Sequence, residues 1–290
     1  MDALAAGRVP TKWADVGQAA SDVVIASERL ETHGEVSGRK FTHSTFVNVS
    51  FLNTSVVNTE FLDCTFVQCY FRGAKFEGSS FVGCKFIDSN FHKAKVSTCN
   101  FRYATFRRSV VPYSELQFSA PPEPNLRHAL FMDLSRAALE VGDEENARRY
   151  RLAAIEAQND HLWAAVKHES NWYTEHFPWD RRIGAALQLV WHFINKLLWR
   201  HGESTLRLLA AALVVSLVVF PGLFAIKRPS GASWGDLVWL SLSNILSLDR
   251  LSAIGATTGY VRVLSAVEGL IGIAFAGLIV TLILKALLRR

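Results

Sequence analysis

The stretch FVQCYFRGAKFEGSSFVGCKF, Phe66 to Phe86, puts a phenylalanine at every fifth position, and that spacing decides how the front half of the chain folds. The same phase runs back through Phe61, Val56, Phe51, Phe46 and Phe41, and forward through Phe91, Val96, Phe101 and Phe106. Two residues before most of these positions stands a small side chain: Ser44, Val49, Thr54, Thr59, Cys64, Cys69, Ala74, Ser79, Cys84, Ser89, Ala94, Cys99 and Ala104. A period of five matches neither the 3.6 of an α-helix nor the 2 of a strand, so an amphipathic element is excluded and a coiled repeat is predicted.

Over Val36 to Leu116 the pattern resembles the pentapeptide-repeat family. The resemblance implies a right-handed quadrilateral β-helix in which the large central residue and the small residue two before it both point inward. It also implies about twenty residues per coil, roughly four coils, and a rise of about 4.8 Å between coils. All four cysteines, Cys64, Cys69, Cys84 and Cys99, fall in the small slot, which reads them as fillers of a narrow core and not as metal ligands or a disulfide framework. Cys64 and Cys84 lie one coil apart, where a reducing cytoplasm keeps them as thiols. Some members of the family imitate duplex DNA through an acidic surface. Here Arg39, Lys40, Arg72, Lys75, Lys85, Lys93, Lys95, Arg102, Arg107 and Arg108 outnumber Glu60, Asp63, Glu77, Asp88 and Glu115, which argues against that role. A net charge of +5 over 290 residues is too small to predict nucleic-acid binding, and the surface charges are expected to solvate the tower.

The rest of the chain divides by composition. Residues 1–35 form an N-terminal segment without an apolar run, so no secretory signal is expected. The β-helix is assigned to 36–118 and a stiff linker with Pro121, Pro122 and Pro124 to 119–124. A cytoplasmic helical hairpin is assigned to 125–177, with helical spacing over Leu126 to Glu140 and Glu144 to Tyr173 and a break at Gly142-Asp143. Within it ALEVGDEENARRYRLAAIEA is similar to the helix-turn-helix of tetratricopeptide repeats, with Gly142, Ala147 and Ala154 at packing positions. A single copy leaves a face to be buried, so a role in subunit assembly is expected. His161, His168 and His176 lack the HExxH spacing that sets two ligands on one helix face, so no metal site is predicted. No Ser-His-Asp or Cys-His order is present either; the chain is not expected to be an enzyme or to carry a cofactor.

Residues 178–203 read as an interfacial amphipathic helix, the alternative being an ordinary amphipathic core helix. Gln188, His192, Asn195 and Lys196 share one face, and Trp191 and Trp199 with Arg181, Arg182 and Arg200 at the ends suit the headgroup level of a membrane. Residues 204–290 read as a two-span module. Leu206 to Ile226 and Val263 to Leu284 are each long enough to cross a hydrocarbon core of roughly 30 Å. Lys196, Arg200 and Arg207 lie at the first span and Lys285, Arg289 and Arg290 follow the second, which predicts an inner-membrane protein with both termini in the cytoplasm. Between the spans GDLVWLSLSNILSL, residues 235–248, is apolar but too short to cross, which reads as a re-entrant helix, the alternative being an interfacial or extracellular helix in a loop.

This order of span, short helix and span resembles the two-transmembrane potassium-channel-like family over His201 to Leu287. The likeness rests on Asp236 followed by LVWLSLS with Trp239 and Ser241, on RVLSAVEGLIGIAFAGL as an inner helix, and on HGESTLRLL as the entrance to an outer one. It implies four chains around one axis, the second span lining a conduit and the short helix aiming its negative end inward. Aligned from Asp236 without gaps, Leu246, Ser247, Leu248, Asp249, Arg250 and Leu251 stand where the family has threonines followed by Gly-Tyr-Gly. Without those glycines, carbonyl-based potassium selectivity is not expected. Four copies of Asp249 around an axis would form an acidic ring that draws hydrated cations, with Arg250 pairing behind each carboxylate; the alternative is an ion pair outside the membrane. Glu268, ionisable inside a span, reads either as a group for ion handling and gating or as a pin from the inner helix to Ser241 or Ser243. Gly269, Gly272 and Gly277 read as sites of close helix packing or as a hinge. The expected function is a homotetrameric, weakly selective cation channel, its partners being membrane lipid, inorganic cations and an unnamed cytoplasmic ligand or protein that acts on the tower. The alternative is a non-conducting membrane-anchored scaffold or sensor.

Overall fold

Stacking each five-residue unit on the unit one coil away satisfies the backbone and superposes like side chains, and the chain from Ala19 to Val110 does this. The computed structural model describes residues 9–32, 34–199, 205–227, 231–246 and 259–288, in two compact units, Met1–Ala186 and Leu187–Arg290. In the first unit, three parallel sheets of four, five and four short strands form three sides of a β-solenoid. Single bridges linking Arg29, Ser50, Tyr70, Asn90 and Val110 form the fourth side. The five-stranded side spans four full coils, from Val24–Ala26 to Thr105–Arg107. Lys40 pairs with Glu60 and Phe41 with Phe61, a register of twenty.

That register stacks the phenylalanines in columns. Phe41, Phe61, Phe81 and Phe101 lie face to face with centroids 5.3, 5.1 and 5.0 Å apart. Phe46, Phe66, Phe86 and Phe106 follow at 4.7, 4.9 and 4.8 Å. Phe51, Phe71 and Phe91 make a third column, and Val56, Phe76 and Val96 fill the fourth side. The small slot has its own logic, because its occupant turns a hydroxyl or thiol onto carbonyls at the corners. Ser79 Oγ reaches the carbonyls of Val56 and Glu77 at 3.2 Å, and Cys84 Sγ reaches that of Phe61 at 3.4 Å. Cysteine therefore suits the slot by size and by its weak donor. All four thiols are free and buried, and burial pushes Cys69 up to about 12 and raises Cys84 as well.

Each corner passes through left-handed backbone two residues after the central position, at His43, Asn48, Asn53, Asn58 and Asp63 among others. Asn, Asp and Gly tolerate that conformation best. Gly83 has φ +69°, and a Cβ there would stand 2.0 Å from Asp63 Oδ1 one coil below, so this corner needs glycine both for its twist and for its neighbour.

Two boundaries differ from the sequence reading. The N-terminal segment adds a coil of its own: Ala19 pairs with Lys40 and Val24 with Thr45, a register of twenty-one. One extra residue between Leu30 and Val36 breaks the five-residue phase there and conceals the coil. Ahead of it Trp13 closes the end of the core, stacked 5.6 Å from Phe41 with the Arg39 guanidinium 4.4 Å from its ring. The helical hairpin is the other correction, being a lid on the solenoid and not a separate unit beyond a stiff linker. After the short helix α1 (Tyr113–Leu116), α2 (Pro124–Glu140) and α3 (Glu144–Lys167) bury Leu130, Phe131, Leu134, Tyr150 and Ala154 in the same core as the phenylalanine columns. Tyr150 donates its hydroxyl to the Val111 carbonyl (3.1 Å).

The lid also serves the last strand, whose amides have no further coil to pair with. Asp133 accepts from the Phe106 N–H at 2.5 Å and Glu140 from the Arg108 N–H at 2.7 Å. Burial pushes the Asp133 carboxyl above its ordinary range, and the Phe106 amide works against that shift. Asp133→Ala is expected to lower stability by about 1–2 kcal/mol, the cost of leaving a buried amide unpaired. Hydrogen exchange at Phe106 should quicken in this variant and recover in Asp133→Asn, which keeps an acceptor. Unchanged exchange in the alanine form would remove Asp133 from the cap.

Two of the three histidines have local partners, whereas His168 Nδ1 is buried without a hydrogen-bond partner among the described residues. His161 Nδ1 lies 2.9 Å from the Tyr173 hydroxyl, His168 takes the left-handed position that ends α3, and His176, in α4 (Asn171–His176), stacks on Trp172 at 4.4 Å. The next helix, α5 (Trp179–Trp199), leaves Trp179, Ile183, Leu187, Trp191 and Leu197 exposed along its length.

Candidate functional site: a polar cluster between apolar helices

The second unit contains two helices long and apolar enough to cross a membrane, Leu206–Ile226 and Gly259–Thr281. The first is helix α6 (Thr205–Val214), a π-helical turn at Val215–Val219, and helix α7 (Phe220–Ile226). Proline removes a donor and crowds the carbonyl four residues back, so Pro221 ought to break a plain α-helix. The wider π turn lies directly ahead of it and lets the helix continue. Ser216, buried in that turn, donates to the carbonyls of Ala212 (2.9 Å) and Leu213 (3.2 Å).

The short helix α8 spans Trp234–Leu246 and the long helix α9 spans Gly259–Leu288. Asp236 has a local task at the start of α8. Ser233 N donates to Asp236 Oδ2 (2.7 Å) and Asp236 N to Ser233 Oγ (3.3 Å), a reciprocal cap that fixes where the helix begins. Leu237 and Leu240 of α8 then pack with Phe220, Phe224 and Val261 in one apolar cluster. Tyr260 ties α9 to the outer helix by donating its hydroxyl to the Leu223 carbonyl (3.2 Å). Trp239, on the opposite side of α8, is 68% exposed.

One carboxylate lies inside this packing. Glu268 of α9 is fully buried, its Oε1 accepting from the Ser241 hydroxyl and its Oε2 from Asn244 Nδ2 at 2.9 Å. Both donors come from α8, where a spacing of three residues puts them on one face. Of the two serines considered as partners, Ser241 makes the contact, while Ser243 donates to the Leu240 carbonyl (2.9 Å). Asn244 was not anticipated, although its three-residue offset from Ser241 is visible in SLSN. Ser265, one turn before Glu268, is also buried, and its hydroxyl has no partner among the described residues.

The three glycines separate clearly. A Cβ on Gly272 would lie 2.5 Å from the Ile245 carbonyl oxygen and 2.9 Å from its Cα, so α9 crosses α8 backbone to backbone at that point. At Gly269 the nearest atom would be the Asn244 oxygen at 3.8 Å, and at Gly277 nothing lies within 4 Å. Among the described residues the packing role therefore belongs to Gly272, and Gly277 does not share it. Leu246 is the last residue of α8, and the other predicted filter positions, Ser247, Leu248, Asp249 and Arg250, lie outside the described residues.

Comparison with known proteins bears on the solenoid. Residues 64–102 match the pentapeptide-repeat family model in eight copies. Among solved structures the chain is similar to the pentapeptide-repeat protein Rfr23 from the cyanobacterium Cyanothece 51142, at 9% identity and a TM-score of 0.24 over 33% of this chain and 67% of that one. It is also similar to HetL, a pentapeptide-repeat protein involved in heterocyst differentiation regulation from Nostoc sp. strain PCC 7120, at 10% identity and a TM-score of 0.23 over 37% of this chain and 62% of that one. QnrB1, a plasmid-mediated fluoroquinolone resistance protein, matches at 18% identity and a TM-score of 0.13 over 33% of this chain and 56% of that one. No curated protein matches. The chain thus carries a pentapeptide-repeat β-solenoid of about four turns, followed by a helical region with two apolar helices.

Proposed function

We propose that the chain is the subunit of a homotetrameric, weakly selective cation channel of an inner membrane, with the solenoid and its lid as a cytoplasmic module for assembly or gating. The observation that carries this reading is the seating of α8. A helix of 13 residues is about 20 Å long, too short to cross a bilayer. It nevertheless packs against both long apolar helices and is held by a carboxylate buried between them. Short helices at membrane depth are tolerated where protein or a water-filled cavity surrounds them, which sister subunits around an axis would provide.

Further support comes from surfaces that one chain leaves unmet. Leu206, Leu213, Val218, Val263, Leu270 and Ile273 are exposed on the long helices, as suits contact with lipid or with further copies. The Ser265 hydroxyl, buried and unpartnered among the described residues, is a group for water or a neighbouring subunit to satisfy. The positive charge of Lys196 and Arg207 near the first span and Lys285 after the second is consistent with both termini in the cytoplasm.

Cation flux through the purified chain in liposomes tests the proposal. Flux with little discrimination between potassium and sodium is expected, together with four-fold particles in detergent. Asp249→Asn should shift cation preference or reduce conductance, and an unchanged current would exclude Asp249 from the pore. A sealed bilayer under every ionic condition would favour the non-conducting scaffold, in keeping with the missing Gly-Tyr-Gly.

A further inference from the structure

In-register stacking sets each residue beside the one twenty positions on, and the solenoid uses this to set basic side chains beside carboxylates. Lys40 meets Glu60 at 2.9 Å, His43 lies 3.9 Å from Asp63, and Arg108 meets Asp88 at 2.7 Å. The side built from Val36–Ser37, Ser55–Val57, Lys75–Glu77 and Lys95–Ser97 does the reverse, because Lys75 and Lys95 are direct register partners. The corner before these strands adds further basic side chains. Gly73 N donates to the His92 carbonyl (3.3 Å), which sets Arg72 beside His92, with Lys93 next along the chain. Arg72, Lys75, His92, Lys93 and Lys95 are all exposed, and the three lysines form no ion pair among the described residues. Glu77 is the one carboxylate on the two strands. Like charges directly opposite on neighbouring strands cost stability, so this face differs from the other sides in the direction that folding alone disfavours.

We propose that this face docks on the anionic headgroups of a bilayer leaflet, an inference that rests on the membrane reading above. Ammonium and guanidinium groups donate strongly to phosphate oxygens, and clustered basic residues beside a membrane are drawn to anionic lipid. Geometry favours a surface over a small anion. Side chains on successive coils stand about 4.8 Å apart on a flat β-face, which meets an extended array of phosphates but does not enclose one. Tethering favours the leaflet over a nucleic acid, since a chain anchored by two spans keeps its solenoid at high effective concentration near headgroups.

The test is lysine-acylation footprinting, read by mass spectrometry, on the full chain in nanodiscs of phosphatidylcholine alone or mixed with phosphatidylglycerol. Labelling of Lys75, Lys93 and Lys95 is expected to fall several-fold in the anionic discs and to recover at about 1 M salt, where the screening length is about 3 Å. Lys85, on the five-stranded side, should label equally in both. Lys95→Glu removes the like-charge stack and should raise the thermal midpoint by about 1–3 °C while abolishing protection of Lys75 and Lys93. Equal labelling in the two discs, or protection that survives Lys95→Glu, overturns the proposal. So does protection by a DNA duplex added to neutral discs without protection by phosphatidylglycerol, which would make the partner a nucleic acid. A chain that does not enter the discs at all removes the membrane reading and this inference together, whereas entry with unchanged labelling sinks only the docking face.

Discussion

Phe86→Ala is expected to destabilise the solenoid by about 3–5 kcal/mol, the range for emptying a buried aromatic site. Phe86 sits between Phe66 and Phe106 in its own column and touches Phe91 (5.2 Å) and Phe81 (5.8 Å) across the core. The cavity has little chance to collapse, because both ladder neighbours are pinned by main-chain pairing of Lys85–Ile87 to the coils below and above. Repeat architectures couple each coil chiefly to its neighbours, so the damage should appear first as faster hydrogen exchange in those coils. A fall in thermal midpoint of about 10 °C is expected, at about 2–4 °C per kcal/mol for a unit of this size. Lys85→Ala, on the outward side of the same strand, should stay within about 0.5 kcal/mol of the parent. Similar behaviour of the two variants would mean that the stacked column is not what holds the coils together.

Gly272→Leu is the second change expected to act strongly, at about 3 kcal/mol, the upper end of overpacking costs. The atoms a new Cβ would strike belong to the Ile245 backbone and cannot swing aside as a side chain would. To admit leucine, α9 must move off α8, and that movement pulls Glu268 away from Ser241 and Asn244. A buried carboxylate deprived of donors adds its own desolvation penalty. Loss of monodisperse particles in detergent, or loss of flux where the parent conducts, is therefore expected. Gly277→Leu has open space around it within the chain and serves as the contrast. If it disrupts as much as Gly272→Leu, then Gly277 faces a sister subunit and the glycine contacts of the assembly lie elsewhere than on α8.

The footprint of these predictions follows what could be read from residue order alone. The solenoid was legible because its information is local and repeated. Every coil presents the same inward pair; the period of five excludes helix and strand, and the resemblance to pentapeptide repeats supplies the winding that turns the phenylalanines inside. Glu268 was legible in kind, since a carboxylate within an apolar run must find donors, and Ser241 was among those named for it. Asn244 carries no comparable signal in the sequence, since an amide one turn beyond Ser241 on the same face does not by itself say which acceptor it meets.

Other features depended on long-range packing, which no local period records. A single extra residue between Leu30 and Val36 shifts the phase and hides the N-terminal coil, and the pairing shows it only as a register of twenty-one that gives way to one of twenty. The hairpin reads as an independent helical unit because its amphipathic spacing does not say what its buried face meets. Only the stacked core ends where Leu130, Phe131 and Tyr150 can cover it, and only there do Asp133 and Glu140 find unpaired amides. Gly272 and Gly277 look alike in an apolar helix, and the point at which α8 crosses α9 makes one indispensable and leaves the other open. Periodicity thus dictates structure wherever each residue answers to a neighbour at a constant offset, and tertiary contact decides it wherever the partner arrives from a different part of the chain.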